Sequence, residues 1–130
     1  MFLVDDDTEV VARLREELES HFVIVGTADS GKDYLRQTSR HEPHVVVLDV
    51  SMPGMSGVEV AERAKRQSPN LKIVMLSAHG DQTYVTEAFG AGASAYVLKP
   101  AGVPELIRAI REVQAGNRYL SPSLRVDEPI

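Results

Sequence analysis

Five short apolar runs alternate with five stretches of helical periodicity, and that alternation leaves few folds open. Four of the runs are rich in β-branched residues and bounded by polar or turn residues: Phe2 to Val4, Phe22 to Val25, Val45 to Leu48 and Ile73 to Leu76. A fifth, Ala95 to Leu98, carries a weaker signal by itself. Runs that are apolar throughout suit strands covered on both faces, as in parallel sheets. Between them, Val10, Val11, Leu14 and Leu18 repeat near 3.6 residues, which predicts a first helix. The second helix, Gly31 to Arg40, offers only Tyr34 and Leu35 for burial. Val58 to Arg66 presents Val60, Ala61 and Ala64, and Tyr84 to Gly90 presents Val85, Ala88 and Phe89. The last, Val103 to Ala115, has one stripe of Val103, Leu106, Ile107, Ile110 and Val113, with Pro104 near its start and Gly116 at its end. The pattern predicts an α/β three-layer sandwich with a five-stranded parallel sheet, five helices and right-handed crossovers. In such sheets ligands sit beyond the carboxyl ends of the strands.

A length of 130 residues suits one domain. The domain is expected over residues 1–116, and residues 117–130, which have no periodic pattern, read as a C-terminal tail or the start of a linker. Without cysteine, disulfides, thiolate metal sites and thiol catalysis are excluded, and a cytoplasmic location fits. The net charge of -5 argues against nucleic-acid binding by this segment. No apolar run approaches the roughly 20 residues of a membrane span, and Met1 to Asp5 turns acidic too soon for a secretory signal.

What ends the strands is the informative part. The first run leads into Asp5, Asp6 and Asp7, the third into Asp49, the fourth into Ser77 and the fifth into Lys99 before Pro100. Clustered carboxylates repel one another unless a cation stands among them. A few carboxylates with retained waters commonly hold Mg²⁺. A carboxylate beside such a metal can attack phosphorus to give an aspartyl phosphate, with the metal, Lys99 and the Ser77 hydroxyl neutralising the transferring group. Asp49 is the expected nucleophile, because the turn Met52 to Gly57 that follows exposes its strand end. Each residue also has a plainer reading. Asp6, Asp7, Thr8 and Glu9 resemble a capping box, Ser77 can bond locally, Lys99 can be a surface residue and Tyr96 a core residue. Their joint placement at strand ends favours the chemical reading. The four histidines, His21, His41, His44 and His79, show no helical ligand spacing, and only His79 falls near the expected site.

The segments LVDD, VVVLDVSMPGMSG, VMLSA and AYVLKP, in this order, make the chain resemble the receiver domains of two-component response regulators from Met1 to about Ala115. The resemblance implies a flavodoxin-like sheet of order 2-1-3-4-5. It further implies that Asp49 accepts a phosphoryl group from a histidine kinase, and that Asp5, Asp6, Asp49 and the Ser51 backbone carbonyl hold Mg²⁺. Lys99 would contact the phosphoryl group, with a cis bond to Pro100. Ser77 and Tyr96 would form the switch, and Ser51 and His79 would tune the lifetime of the phosphate. Such a domain is a signalling module, catalysing at most its own phosphoryl transfer and dephosphorylation. A phosphorylation-linked homodimer is a further implication.

Gly116 to Pro122 resembles the exit from receivers of the NarL/LuxR class, whose next domain is a helix-turn-helix DNA binder; a transcription regulator with its output domain beyond this sequence is therefore expected. The alternatives are a stand-alone receiver or an unphosphorylated pseudo-receiver acting as an interaction module. A haloacid-dehalogenase-like phosphatase would need an acid at Ser51, and a flavin site would need a hydroxyl-rich phosphate loop where Asp5, Asp6 and Asp7 stand.

Overall fold

The computed structural model describes residues 1–39 and 42–124. Its elements are β1 (Phe2–Val4), α1 (Thr8–Leu18), β2 (Gly26–Ala28), α2 (Gly31–Thr38), β3 (Val45–Asp49), α3 (Gly57–Gln67), β4 (Lys72–Ser77), α4 (Gln82–Gly90), β5 (Ala95–Leu98), α5 (Val103–Gln114) and β6 (Tyr119–Leu120). Single 3₁₀ turns follow β5 at Lys99–Ala101 and β6 at Pro122–Leu124. Arg40, the expected end of the second helix, lies outside the described residues, as do His41 and residues 125–130.

All strand pairs are parallel, in the order β2-β1-β3-β4-β5-β6. The expected flavodoxin-like order is present, with one strand more than the five expected. The addition is β6, which pairs Tyr119 and Leu120 with Ala95 and Tyr96. Two residues are too few to show periodicity, so the segment after α5 carried no strand signal.

Alternation along each strand sorts the core into two layers. Val46, Leu48, Ile73, Met75 and Tyr96 face one side, against Tyr34, Val60 and Val85 of α2, α3 and α4. Leu3, Val45, Val47, Val74 and Val97 face the other, against Leu18 of α1 and Leu106 and Ile110 of α5. The sparse second helix is anchored by Tyr34, whose ring meets that of Phe2 edge-on at 5.0 Å and 76°.

The second strand is displaced from its expected place. It occupies Gly26–Ala28 and not Phe22 to Val25, with Gly26 opposite Phe2. Val23 and Val25 are 78% and 63% exposed, whereas Phe22 and Ile24 pack against the α1 and α5 layer. This is an edge approach with one wet face, where β-branched residues do not report burial. The Val25 N–H already donates to the Met1 carbonyl at 2.9 Å, so the run leads into the sheet.

Candidate functional site

Three loops at the carboxyl ends of β1, β3 and β5 converge. The acidic run after β1 divides its labour residue by residue. Asp5 is buried; Asp6 is exposed; Asp7 caps α1, accepting from the Glu9 and Val10 N–H groups at 3.0 and 3.3 Å. The capping reading of this run holds for Asp7, while Asp5 is turned into the fold at the strand end. The Asp7 N–H in turn donates to Asp5 Oδ1 at 3.0 Å, which fixes the Asp5 carboxylate.

β3 delivers Asp49, buried opposite Leu76, and the chain must then turn back sharply into α3. Gly57 makes that turn possible: a Cβ there would lie 2.2 Å from the Asp49 carbonyl oxygen and 2.8 Å from Val50 Cα. Its N–H donates to the Val50 carbonyl at 2.8 Å, and Ser56 caps α3 by accepting from the Glu59 N–H at 3.3 Å. The helix start is thus tied to the strand end that carries the acid. Tertiary placement of this kind leaves only a glycine in the sequence as its signal.

Lys99, just past β5, reaches between the acids. Its Nζ lies 3.1 Å from Asp5 Oδ2 and 3.4 Å from Asp49 Oδ1. Carboxylate oxygens of Asp5, Asp6 and Asp49 lie within 4.8 Å of one another. Burial, then the charge of Asp5, pushes the Asp49 carboxyl up to about 6, against the opposing pull of Lys99 and the Ser51 N–H. Burial alone would lower the Lys99 ammonium, but the attraction of Asp49 and Asp5 outweighs it and the net direction is upward. Lys99 therefore stays charged. The Lys99–Pro100 bond is not cis as implied: no described peptide bond is cis. Pro100 sits inside the 3₁₀ turn Lys99–Ala101, which the ordinary trans amide accommodates.

Does this acid cluster suit a divalent cation? Asp5 Oδ2 is buried without a well-formed hydrogen bond, although Lys99 stands beside it as an ion pair. An anionic oxygen left short of donors, two further carboxylates in reach and an exposed member open to water are the donor set of a hard cation such as Mg²⁺. The residues fit. Ser51 is exposed, and its N–H donates to Asp49 Oδ1 at a long 3.4 Å.

Ser77 and Tyr96 meet at a different point, the backbone of His79. Ser77 Oγ accepts from the His79 N–H at 2.9 Å, and the Tyr96 hydroxyl donates to the His79 carbonyl at 2.7 Å. Both side chains are buried, and burial raises the Tyr96 pKa, which keeps the hydroxyl a donor. The exposed His79 ring stacks on Tyr84 of α4 at 5.0 Å, a pairing that sequence spacing did not suggest. Ser77 lies two residues from Met75 and so shares the α4 layer with Tyr96, while Asp5, Asp49 and Lys99 continue the opposite alternation of Leu3, Val47 and Val97.

Comparison with known proteins decides the family. Residues 1–111 match the response regulator receiver domain. The chain belongs to that family. This receiver domain is 37% identical to the response regulator GacA of Pseudomonas aeruginosa over 126 residues, which cover 94% of it and 58% of that relative. It therefore spans little more than half the length of this curated relative. Among solved structures, a LuxR-family two-component response regulator from Aurantimonas superimposes with a TM-score of 0.90 at 30% identity, covering 95% of this chain and 89% of that one. A LuxR-family DNA-binding response regulator from Staphylococcus aureus gives 0.80 at 27%, covering 86% and 95%. The domain has the flavodoxin-like fold of CheY-like receivers. No helix among the described residues is long and apolar enough to cross a membrane.

Proposed function

We propose that this receiver domain takes a phosphoryl group onto Asp49 from the phosphohistidine of a sensor kinase. The observation that carries the proposal is the Lys99 ammonium held within 3.4 Å of both buried acids, Asp5 and Asp49. An Asp49 carboxylate oxygen attacks phosphorus, the P–N bond to the donor imidazole breaks, and the leaving nitrogen takes up a proton. Lys99 neutralises the equatorial oxygens, and its pairing with Asp5 holds it in position before the donor arrives. Asp5, Asp6, Asp49 and the Ser51 backbone carbonyl would hold Mg²⁺, which when bound supplies charge neutralisation for the transferring group.

Ser77 and Tyr96 then read the added charge. The Ser77 hydroxyl leaves the His79 N–H for a phosphoryl oxygen, while Tyr96 retains its bond to the His79 carbonyl, so the β4–α4 loop shifts as a unit. Ser51 and His79, exposed at the rim, set how readily water reaches the phosphate. The domain is a signalling module that catalyses nothing beyond its own phosphorylation and dephosphorylation. It works in the cytoplasm, pairs with a second copy when phosphorylated, and controls DNA through a helix-turn-helix domain outside this sequence. This last point is supported by the DNA-binding designation of its Staphylococcus aureus likeness.

The test is incubation with acetyl phosphate and Mg²⁺, followed by intact mass and peptide mapping. One phosphoryl group on Asp49, absent in Asp49→Asn, is the expected result. Full incorporation in Asp49→Asn would overturn the assignment, and no incorporation in the parent protein would favour a pseudo-receiver.

A further inference from the structure

The residues after α5 form a strap across β5 and α4, and the role of that strap follows from what it touches. Arg118 lies over the Phe89 ring of α4, 5.2 Å from its centroid. Leu120 packs against the α4 layer, and Leu124 is buried in it. The Gln82 side chain, in the first turn of α4, donates to the Leu124 carbonyl at 3.1 Å. A Cβ on Gly80, in the β4–α4 loop, would meet Leu124 Cδ2 at 3.0 Å, so the loop backbone and the leucine are in close apposition.

The strap is itself firmly fixed at its middle. The buried Ser121 hydroxyl donates to Glu105 Oε1 at 2.6 Å and accepts from the Leu98 N–H at 3.0 Å, and the Tyr119 hydroxyl donates to the same Glu105 oxygen at 3.1 Å. At its far end the Leu124 N–H donates to the Ser121 carbonyl at 2.9 Å, and the residue also meets Gln82 and Gly80. The last two contacts are with the start of α4 and the β4–α4 loop. This is the loop whose backbone is bound by Ser77 and Tyr96.

We propose that the Pro122–Leu124 turn is a latch on the β4–α4 loop, closed in the unphosphorylated domain and released when the loop shifts toward Asp49. The release step rests on the phosphorylation reading above; the latch itself rests on geometry alone. A shift of Gly80 toward the acids draws it from Leu124 and pulls Gln82 off the Leu124 carbonyl, while Ser121 stays pinned to Glu105. The Pro122–Leu124 turn is thereby freed from the loop, pivoting about Ser121. Reciprocally, an opened latch lets the loop reach Asp49 more readily, because coupling between two sites works in both directions.

Hydrogen exchange on the full chain, parent and Leu124→Ala, tests both halves, with Mg²⁺ and beryllofluoride as the phosphoryl mimic and ¹⁹F NMR to titrate its binding. Without mimic, Leu124→Ala is expected to speed exchange of the His79 amide, which donates to Ser77, about fivefold, the effect of losing one ordinary contact or hydrogen bond. Unchanged exchange there, with circular dichroism showing intact folding, overturns the latch whatever the phosphorylation chemistry. With saturating mimic, the Leu124 amide of the parent protein is expected to exchange faster by a similar factor while Ser121 does not, and Leu124→Ala is expected to bind the mimic several-fold more tightly. A bound ¹⁹F signal with neither effect overturns the release. No bound ¹⁹F signal in the parent overturns the phosphoryl reading and the release together, while the first arm still decides the latch.

Discussion

Asp49→Asn should stabilise this protein when metal is withheld. Burial and the neighbouring Asp5 raise the Asp49 carboxyl from an ordinary 3.8 to about 6. At about 1.4 kcal/mol per pH unit, that rise means the ionised acid costs the fold about 3 kcal/mol at neutral pH. The site opens on solvent at the strand ends, and screening there brings the figure to about 1–2 kcal/mol. The sign follows from which state releases its proton first. Below pH 3.8 both states are protonated and there is no penalty; between there and about 6 the unfolded chain ionises first and stability falls; above about 6 the whole cost is present. An asparagine has the same shape, still accepts from the Ser51 N–H and carries no charge. In chelator at pH 7 its urea midpoint should therefore rise by roughly 0.5–1 M, taking an m-value of about 2 kcal/mol/M. At pH 3.5 the two proteins should unfold together. Added Mg²⁺ should close the gap, because binding to the native state stabilises the parent more than the variant. Equal midpoints at pH 7 in chelator, or a gain as large at pH 3.5 as at pH 7, would refute the reasoning.

Removing the Lys99 charge by Lys99→Ala should raise the Asp49 pKa further above about 6, since Lys99 opposes the upward push, and carbonyl ¹³C titration reads this directly. The same variant should lose the response to phosphorylation; a Tyr96 environment that still changes on adding acetyl phosphate counts against its role. Gly57→Ala forces a methyl against the Asp49 carbonyl and Val50 Cα, and should cost about 3 kcal/mol in urea unfolding. Asp7→Ala should cost about 1 kcal/mol as a lost cap, yet leave Mg²⁺ affinity within about twofold; a large loss of affinity would move Asp7 into the site. Chelating Mg²⁺ should abolish labelling by acetyl phosphate, and undiminished labelling would remove the metal from the reaction.

The parallel sheet and its two layers were legible because doubly buried strands leave unbroken apolar runs, as in Val45 to Leu48, whereas the strand order came from the family resemblance. Asp49 and Lys99 were legible for a related reason: a charged residue directly after such a run has only the strand tip to occupy. The second strand was misplaced because Val23 and Val25 are β-branched yet face water, so composition imitated burial. The three acids after β1 were ambiguous as a run, since capping and ion binding use the same residue type, and only the local backbone assigns Asp7 to the helix and Asp5 to the interior. The cis bond came from resemblance and not from local physics, and Pro100 itself is content in a trans turn. β6 and the Glu105 to Ser121 bond were invisible because both depend on a chain segment returning to an edge, which no periodicity records.

The sheet is one residue thick, and the acid cluster and the buried Tyr96 emerge from its opposite faces. Asp5, Asp49 and Lys99 continue the layer under α1 and α5, whereas Tyr96 belongs to the layer under α4. Substitutions in separate layers share few contacts, and their effects on stability add. A lineage can therefore revise the α1 and α5 side and the α4 side of this sheet as two nearly independent texts.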